Sequence, residues 1–156
     1  MAIIKRFSYA DGYHGVVDAQ ISGELCDALS EKGLLTAANL VDVSRPEDAP
    51  LHSVFEWVDS VAAEKWREQQ ARTLIASIRI VVEGKEEEPI KAFFNLEVKE
   101  PEYKSLTAIL ENEDDTERML RVALRELSAF RRKYGRLKAL ANVFNAIDQL
   151  EMDFSL

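Results

Sequence analysis

Apolar residues in the first part of the chain recur every fourth position, at Val17, Ile21, Leu25 and Leu29. Gly33 comes shortly after this stretch. The spacing is typical of an amphipathic helix that ends at a C′ glycine. It predicts a first helix over about residues 17–32.

Two further helices are predicted before the middle of the chain. Thr36 is a good N-cap for a short helix over about residues 37–43, which two nearby prolines end. Asp59 is a good N-cap for a third helix over about residues 60–76. An apolar and aromatic connector joins the second helix to the third.

After the third helix, apolar residues recur at every second position. Ile78, Ile80 and Val82 alternate with other side chains, which is typical of a strand. A turn over about 84–89 and a returning strand over about 90–97 complete a β-hairpin over about residues 77–97. An isolated hairpin is only marginally stable, so we expect it to pack on the helices or to pair across a dimer.

The last third of the chain is strongly helical in pattern. Ser105 predicts a short helix over about residues 106–110. Asp114 and Glu117, three residues apart, resemble a capping box and predict a long helix over about residues 115–151.

This long helix carries two apolar stripes. The first comprises Leu120, Leu124, Leu127, Phe130 and Tyr134, and the second comprises Leu137, Leu140, Ala141, Phe144 and Ile147. The stripes differ in direction by about 60 to 80° at 100° per residue. Because Gly135 lies between them, we expect a kink there or a change of packing partner.

These elements predict an α+β fold, predominantly helical, with one β-hairpin and a long C-terminal helix. No repeat or linker indicates a second domain. The expected organisation is an N-terminal arm over residues 1–12, a single domain over 13–151 and a tail over 152–156.

Composition narrows the class of protein. The 156 residues are 47% hydrophobic and 31% charged, which is ordinary for a folded chain. Cys26 is the single cysteine and lies on the apolar stripe of the first helix, where a buried inert thiol is expected. No signal-type or membrane-spanning apolar run is present, so we expect a cytoplasmic protein without a membrane partner.

The usual signatures of catalysis are missing. The six glycines fit no phosphate-binding spacing, and His14 and His52 are the only imidazoles. One cysteine and two histidines cannot complete a zinc site. We therefore expect no enzyme, cofactor or metal, and a metal-dependent site built from carboxylates remains the alternative.

Two local features have a structural and a functional interpretation. We expect His52 to be a half-buried ring that donates to a backbone carbonyl. The aromatic side chains Phe55, Trp57 and Trp66 are expected in the core, with a ligand pocket as the alternative.

Charge is unevenly distributed although the net charge is −8. Residues 118–138 carry eight basic side chains and one acid, Glu126. Five arginines lie within about 60° of one helical face: Arg118, Arg121, Arg125, Arg132 and Arg136. Such an arginine row can follow nucleic-acid phosphates without strong sequence preference. The alternative is a solvated face whose arginines pair with acids of the first helix, Glu24, Asp27 and Glu31, in the same chain or a partner.

Three helices followed by a hairpin is also the element order of a winged helix-turn-helix. Two features oppose that interpretation. The connector over residues 44–58 is far longer than the usual turn, and the acidic run in the hairpin would repel phosphate.

One segment of the chain contains Pro50-Leu51-His52, Phe55-Glu56-Trp57, Asp59, Ala62-Ala63-Glu64, Arg67, Gln70-Ala71-Arg72 and Leu74-Ile75. This pattern resembles a family of small uncharacterised proteins of bacteriophages and prophages. The resemblance covers about residues 13–150, and this chain departs from it at Val58 and Gly135. It implies a phage origin and no particular activity.

We therefore expect a non-enzymatic binding or assembly protein of phage or prophage origin. One hypothesis is a nucleic-acid-associated accessory factor that acts through the arginine row. The other is a structural or protein-interaction module that self-associates through its C-terminal helix. A homodimer is expected because the long helix presents two stripes and the hairpin has edges to cover.

Overall fold

The computed structural model of the protein describes residues 3–58, 61–97 and 102–154. Its contacts divide the chain into two compact units, Met1–Ile109 and Leu110–Leu156, here called unit 1 and unit 2. The fold is α+β and mostly helical, as predicted.

Unit 1 contains five strands and most of the helices. In chain order they are β1 Ile3–Tyr9, α1 Ala19–Glu31, α2 Ala37–Val43, α3 Val61–Ser77, β2 Ile78–Val82, β3 Lys85–Lys91, β4 Phe93–Phe94, β5 Lys104–Ser105 and α4 Leu106–Leu110. All four helices lie within two residues of their predicted bounds. Asp18 and Thr36 cap α1 and α2, whereas the predicted cap Asp59 lies outside the described residues.

The predicted N-terminal arm is wrong, because residues 3–9 form strand β1. This strand pairs antiparallel with β2, with Phe7 opposite Ile80 and Tyr9 opposite Ile78. The sheet order is β1-β2-β3, so β2 is its central strand. The hairpin is therefore stabilised by a third strand of the same chain.

The hairpin turn is shorter than predicted. Gly84 adopts a positive φ of 78°, which a glycine does without steric cost, and β3 begins at the next residue. The acidic run over residues 86–88 and Pro89 therefore lie within β3, where every side chain is exposed. Charge and proline are tolerated there because β3 is an edge strand.

Helix α1 is held against β1 by polar and apolar contacts. The Gln20 side chain accepts from the Phe7 backbone N–H at 2.9 Å and donates to the Lys5 carbonyl at 3.1 Å. The Lys5 ammonium lies 2.9 Å from Asp27 and 3.1 Å from Glu31. Gln20 thereby satisfies backbone groups of an outer strand in place of a ladder partner.

The connector between α2 and α3 folds around a buried arginine. The Arg67 side chain is 2% exposed, and its guanidinium donates to the carbonyls of Glu56 and Val58 and to the Glu64 carboxylate. It also lies over the Trp57 ring, 5.0 Å from the centroid. The connector is thus organised by a fully buried charge.

His52 completes this cluster. Its ring stacks on Trp57 at a centroid distance of 4.9 Å, and its Nδ1 lies 3.0 Å from the Ser44 carbonyl oxygen. The expectation of a half-buried ring that donates to a backbone carbonyl is confirmed. We call Trp57, Glu64, Arg67 and His52 the Arg67 cluster.

Unit 2 is a pair of helices, α5 Glu113–Tyr134 and α6 Ala141–Asp153, joined through a 3₁₀ turn at Lys138–Leu140. The prediction of one helix over residues 115–151 is wrong, because α5 ends before Gly135 and the chain reverses. The N-cap is Asn112, whose side chain accepts from the Asp115 N–H, and not Asp114.

Replacing Arg67 with methionine should lower the free energy of unfolding by about 2–4 kcal/mol, because the acceptors around it lose a charged donor. The matched control is Arg72→Met on the same helix, since Arg72 pairs with Glu68 at the surface. The control should change stability by less than about 0.5 kcal/mol. Urea unfolding measures both, and equal effects would contradict the role of the Arg67 cluster.

Replacing Gly23 with alanine should also destabilise the protein. In an open helix this change gains up to about 1 kcal/mol. Here a Cβ at Gly23 would overlap the buried Phe7 ring, so we expect a net loss of about 1–3 kcal/mol in thermal or urea unfolding. Combining Gly23→Ala with Phe7→Leu should cost less than the sum of the two single changes. Additive losses would show that the two residues do not interfere.

Candidate functional site

The predicted arginine row is only partly assembled by the structure. Arg118, Arg121, Arg125 and Arg132 lie on α5 and are exposed, within about 60° of one face. Arg136 lies beyond the end of α5, so helical periodicity does not place it on that face. The row on the helix therefore has four members.

Two of these arginines pair with acids of their own helix. Arg121 lies 2.6 Å from Glu117, and Arg118 lies 3.8 Å from Asp115. The acids of α1 that were expected as partners have other contacts in unit 1. Lys5 forms ion pairs with two of them, Asp27 and Glu31. Glu24 accepts a hydrogen bond from the Gln20 side-chain amide.

The other two arginines have no ion pair among the residues that the structure describes. Arg125 and Arg132 line a surface recess of about 360 Å³ together with Ser128 and Glu151. Ser128 donates to the Glu151 carboxylate across the two helices. A carboxylate inside this recess opposes binding of phosphate there.

Arg131, which lies outside the predicted row, connects the two helices. Its guanidinium meets the Asp148 carboxylate with N–O distances of 2.6 and 2.8 Å. Since residue 131 faces 148 and residue 128 faces 151, α5 and α6 run antiparallel. The sequence contains a signal for this contact. Arg131 lies on the apolar side of α5, where a single charged side chain needs a partner of opposite charge.

The apolar contact between α5 and α6 is small. Three apolar side chains are buried among the described residues of unit 2: Leu124, Phe144 and Ile147. Phe130 touches Phe144 at a ring-centroid distance of 6.3 Å and Tyr134 at 4.9 Å, yet it remains partly in solvent. The hairpin therefore has a small buried core, and other apolar side chains of the two helices remain exposed.

These exposed apolar side chains lie in different parts of the hairpin. At the end where α5 stops and α6 starts, Phe130, Tyr134, Leu137 and Val143 are 39, 36, 53 and 44% exposed. We call these four residues the tip surface. Exposed basic side chains lie next to its members in the sequence: Lys133, Arg136 and Lys138.

The opposite end of α5, here called the base, has the opposite charge. Leu110 is 56% exposed there. It is followed by the exposed acids Glu111, Glu113 and Asp114. Met152 and Phe154 are exposed at the end of α6, and the contact of residue 128 with residue 151 places them beside the middle of α5. Unit 2 therefore has a basic rim at the tip surface and an acidic rim at the base.

The three aromatic side chains that were expected in the core lie in different places. Phe55 is buried and Trp57 belongs to the Arg67 cluster. The expectation is wrong for Trp66, which is 57% exposed on α3 and lines a surface recess that Phe55 and Trp57 do not line. Cys26 is fully buried, and burial raises the pKa of its thiol far above the usual range, which leaves the sulfur protonated. A winged helix-turn-helix is not formed, because a long connector with a 3₁₀ turn separates α2 from α3.

Comparison of the chain with protein-family models, with curated proteins and with solved structures finds no match. Among the described residues, no group of three or more His, Cys, Asp or Glu side chains is placed to hold a metal ion. No helix in the described part of the chain is long and apolar enough to cross a membrane. The surfaces of unit 2 are the features that point most directly to a function.

Proposed function

We propose that the chain is a non-enzymatic assembly protein of the cytoplasm that associates with a second copy through the helical hairpin of unit 2. In this role unit 2 joins two copies of unit 1. The observation that carries the proposal is the exposed tip surface beside a core seam of only three buried apolar side chains.

The size of the hairpin supports this role. Unit 2 is only about 50 residues long, and a core in so small a unit rarely supplies enough stability unless disulfides, metals or oligomerisation add to it. The chain has one cysteine, in unit 1, so a disulfide within unit 2 is excluded. Oligomerisation would bury the aromatic side chains Phe130 and Tyr134, which are common anchors of protein interfaces.

A nucleic-acid-associated role is the second candidate, and Arg125 and Arg132 are its support. Both are exposed and have no ion pair among the described residues. The partners of Arg118 and Arg121 and the net charge of −8 reduce the attraction for phosphate. These contacts favour the assembly role over the nucleic-acid role.

A phage or prophage origin remains part of the proposal. The resemblance rests on residues that include His52, Trp57, Glu64 and Arg67, and these four side chains meet in the Arg67 cluster. The shared pattern therefore concerns how unit 1 is built. The genes that flank this one test the origin, since phage structural or replication genes on both sides would support it and a bacterial operon would oppose it.

The assembly role predicts a concentration-dependent dimer that depends on the tip surface. Replacing Phe130 and Leu137 with serine should raise the dissociation constant at least about tenfold, because each copy would lose two apolar side chains from the interface. Light scattering coupled to size exclusion measures the mass at each concentration. The control is Val16→Ser, an exposed valine of unit 1, which should leave the dissociation constant unchanged.

Two outcomes would contradict this role. One is a wild-type mass that stays at 17.7 kDa at high micromolar concentration. The other is a dimer that tolerates both serine substitutions while circular dichroism shows an unchanged fold.

For nucleic acid, we expect at most weak binding that depends on salt. A plot of log affinity against log salt on random duplex DNA should have a slope no steeper than about −3.6 for the four arginines of the row, and Arg125→Ala with Arg132→Ala should flatten it by about 2. Fluorescence anisotropy measures both. Tight binding at physiological salt that these alanines abolish would favour the nucleic-acid role over assembly.

A further inference from the structure

We infer that the two copies pair their α5 helices antiparallel, so that the tip surface of one copy lies against the base of the other. This inference rests on the proposed function and adds the geometry of the partner. The complete interface would be a four-helix arrangement made from two identical hairpins.

The first argument is the distribution of charge along α5. The charged side chains of the first turn of the helix and of the residue before its cap are all acidic: Glu111, Glu113, Asp114 and Asp115. The charged side chains of its last turn and of the following connector are all basic: Arg131, Arg132, Lys133, Arg136 and Lys138. A second copy in the reversed direction places each basic end beside an acidic end.

A parallel pair would have the opposite electrostatic result. It would place the basic rims of the two tip surfaces against each other and the acidic side chains of the two bases against each other. Like charges that face each other across an interface are unfavourable. The helix dipoles act in the same sense, since antiparallel neighbours bring the positive N-terminus of one helix to the negative C-terminus of the other.

The second argument is the distribution of apolar side chains along the hairpin. Helix α6 ends beside the middle of α5, so it does not reach the base, where Leu110 is exposed. In an antiparallel pair the tip surface of each copy lies against the base of the other. An interface of this isologous kind uses the same patch on both copies and closes on itself.

The third argument is the middle of α5, where a two-fold axis would cross it. Ala123 lies at the midpoint of the helix and is exposed, and it shares a face with Phe130 and Tyr134 within about 40°. A small side chain at this position allows the backbones of two α5 helices to approach closely.

Cross-linking between single-cysteine variants tests the direction of pairing. The native Cys26 is fully buried, so an introduced surface cysteine is the accessible thiol. Thr116→Cys lies near the acidic end of α5 and Lys133→Cys near the basic end. Each variant carries a tag of different size and is treated with a short bismaleimide, alone and mixed with the other.

We expect the mixture to give the cross-linked heterodimer in high yield and each variant alone to give little product. In an antiparallel pair, two copies of the same position are more than about 20 Å apart along the axis at 1.5 Å per residue. Efficient cross-linking of Thr116→Cys or of Lys133→Cys to itself would overturn the antiparallel arrangement.

Charge reversal supplies a second, independent measurement. A tip variant carries Lys133→Glu and Arg136→Glu, and a base variant carries Glu111→Lys and Glu113→Lys. Each alone should dimerise at least about tenfold more weakly than the wild type, because both contacts of its antiparallel pair then join like charges. An equimolar mixture should recover the wild-type dissociation constant to within about threefold, because both contacts become complementary again.

A parallel pair predicts a different result for the tip variant. In a parallel pair, the tip variant would replace repulsion between basic side chains with repulsion between acidic side chains. It would then associate no worse than the wild type, and this result would overturn the inference. Circular dichroism of each variant confirms that the helices remain folded. A dimer that cross-links in parallel contradicts this inference and leaves the proposed function intact, whereas a wild-type monomer contradicts the proposed function itself.

Discussion

Two helices in contact can bury only one stripe of each, and this limit governs unit 2. Phe144 and Ile147 of α6 are buried, and the Phe144 ring contacts Phe130 of α5. The ion pair of Arg131 with Asp148 and the Ser128–Glu151 hydrogen bond fix the rotation of both helices about their axes. The exposed apolar side chains therefore cannot turn toward the other helix without breaking charged contacts, and they remain exposed in a single copy.

Unit 1 differs because its own elements complete its core. Leucine and isoleucine side chains of α2, α3 and β2 are fully buried, and the buried guanidinium of Arg67 has several acceptors around it. The outer strands of its sheet are poor sites for pairing with another chain. Strand β3 is charged, exposed and contains Pro89, and the Gln20 amide occupies backbone groups of β1. The hairpin of unit 2 is therefore the surface that we propose for association.

The helices of unit 1 were predictable because strong local signals agree with tertiary packing. Thr36 caps α2, as predicted. The predicted stripe of α1 is wrong in part, because Ile21 is 44% exposed while Ser22, Gly23 and Cys26 lie on the buried face. Strand β1 was missed because its pairing with β2 joins segments far apart in sequence, and its alternation is interrupted by a bulge between Ile4 and Phe7. The extent of β3 was missed because acidic residues and proline resemble a loop, although an exposed edge strand accepts them.

In unit 2 the sequence predicted the helical content, the two stripes and the importance of Gly135, but not the reversal of the chain. Periodicity alone cannot distinguish a kink from a turn, since both leave the stripes rotated. The arginine row was defined by the same periodicity, so Arg136 was included and Arg131 was overlooked. What decides the role of each arginine is the neighbouring acid, which a helical projection of one segment does not show.

Isotope-filtered NMR on a mixture of labelled and unlabelled copies tests the central claim most directly, because it detects only contacts between copies. The account predicts intermolecular nuclear Overhauser effects from the rings of Phe130 and Tyr134 to side chains of the partner's hairpin. Their absence at concentrations where the protein is dimeric, or their appearance only at residues of unit 1, would contradict it.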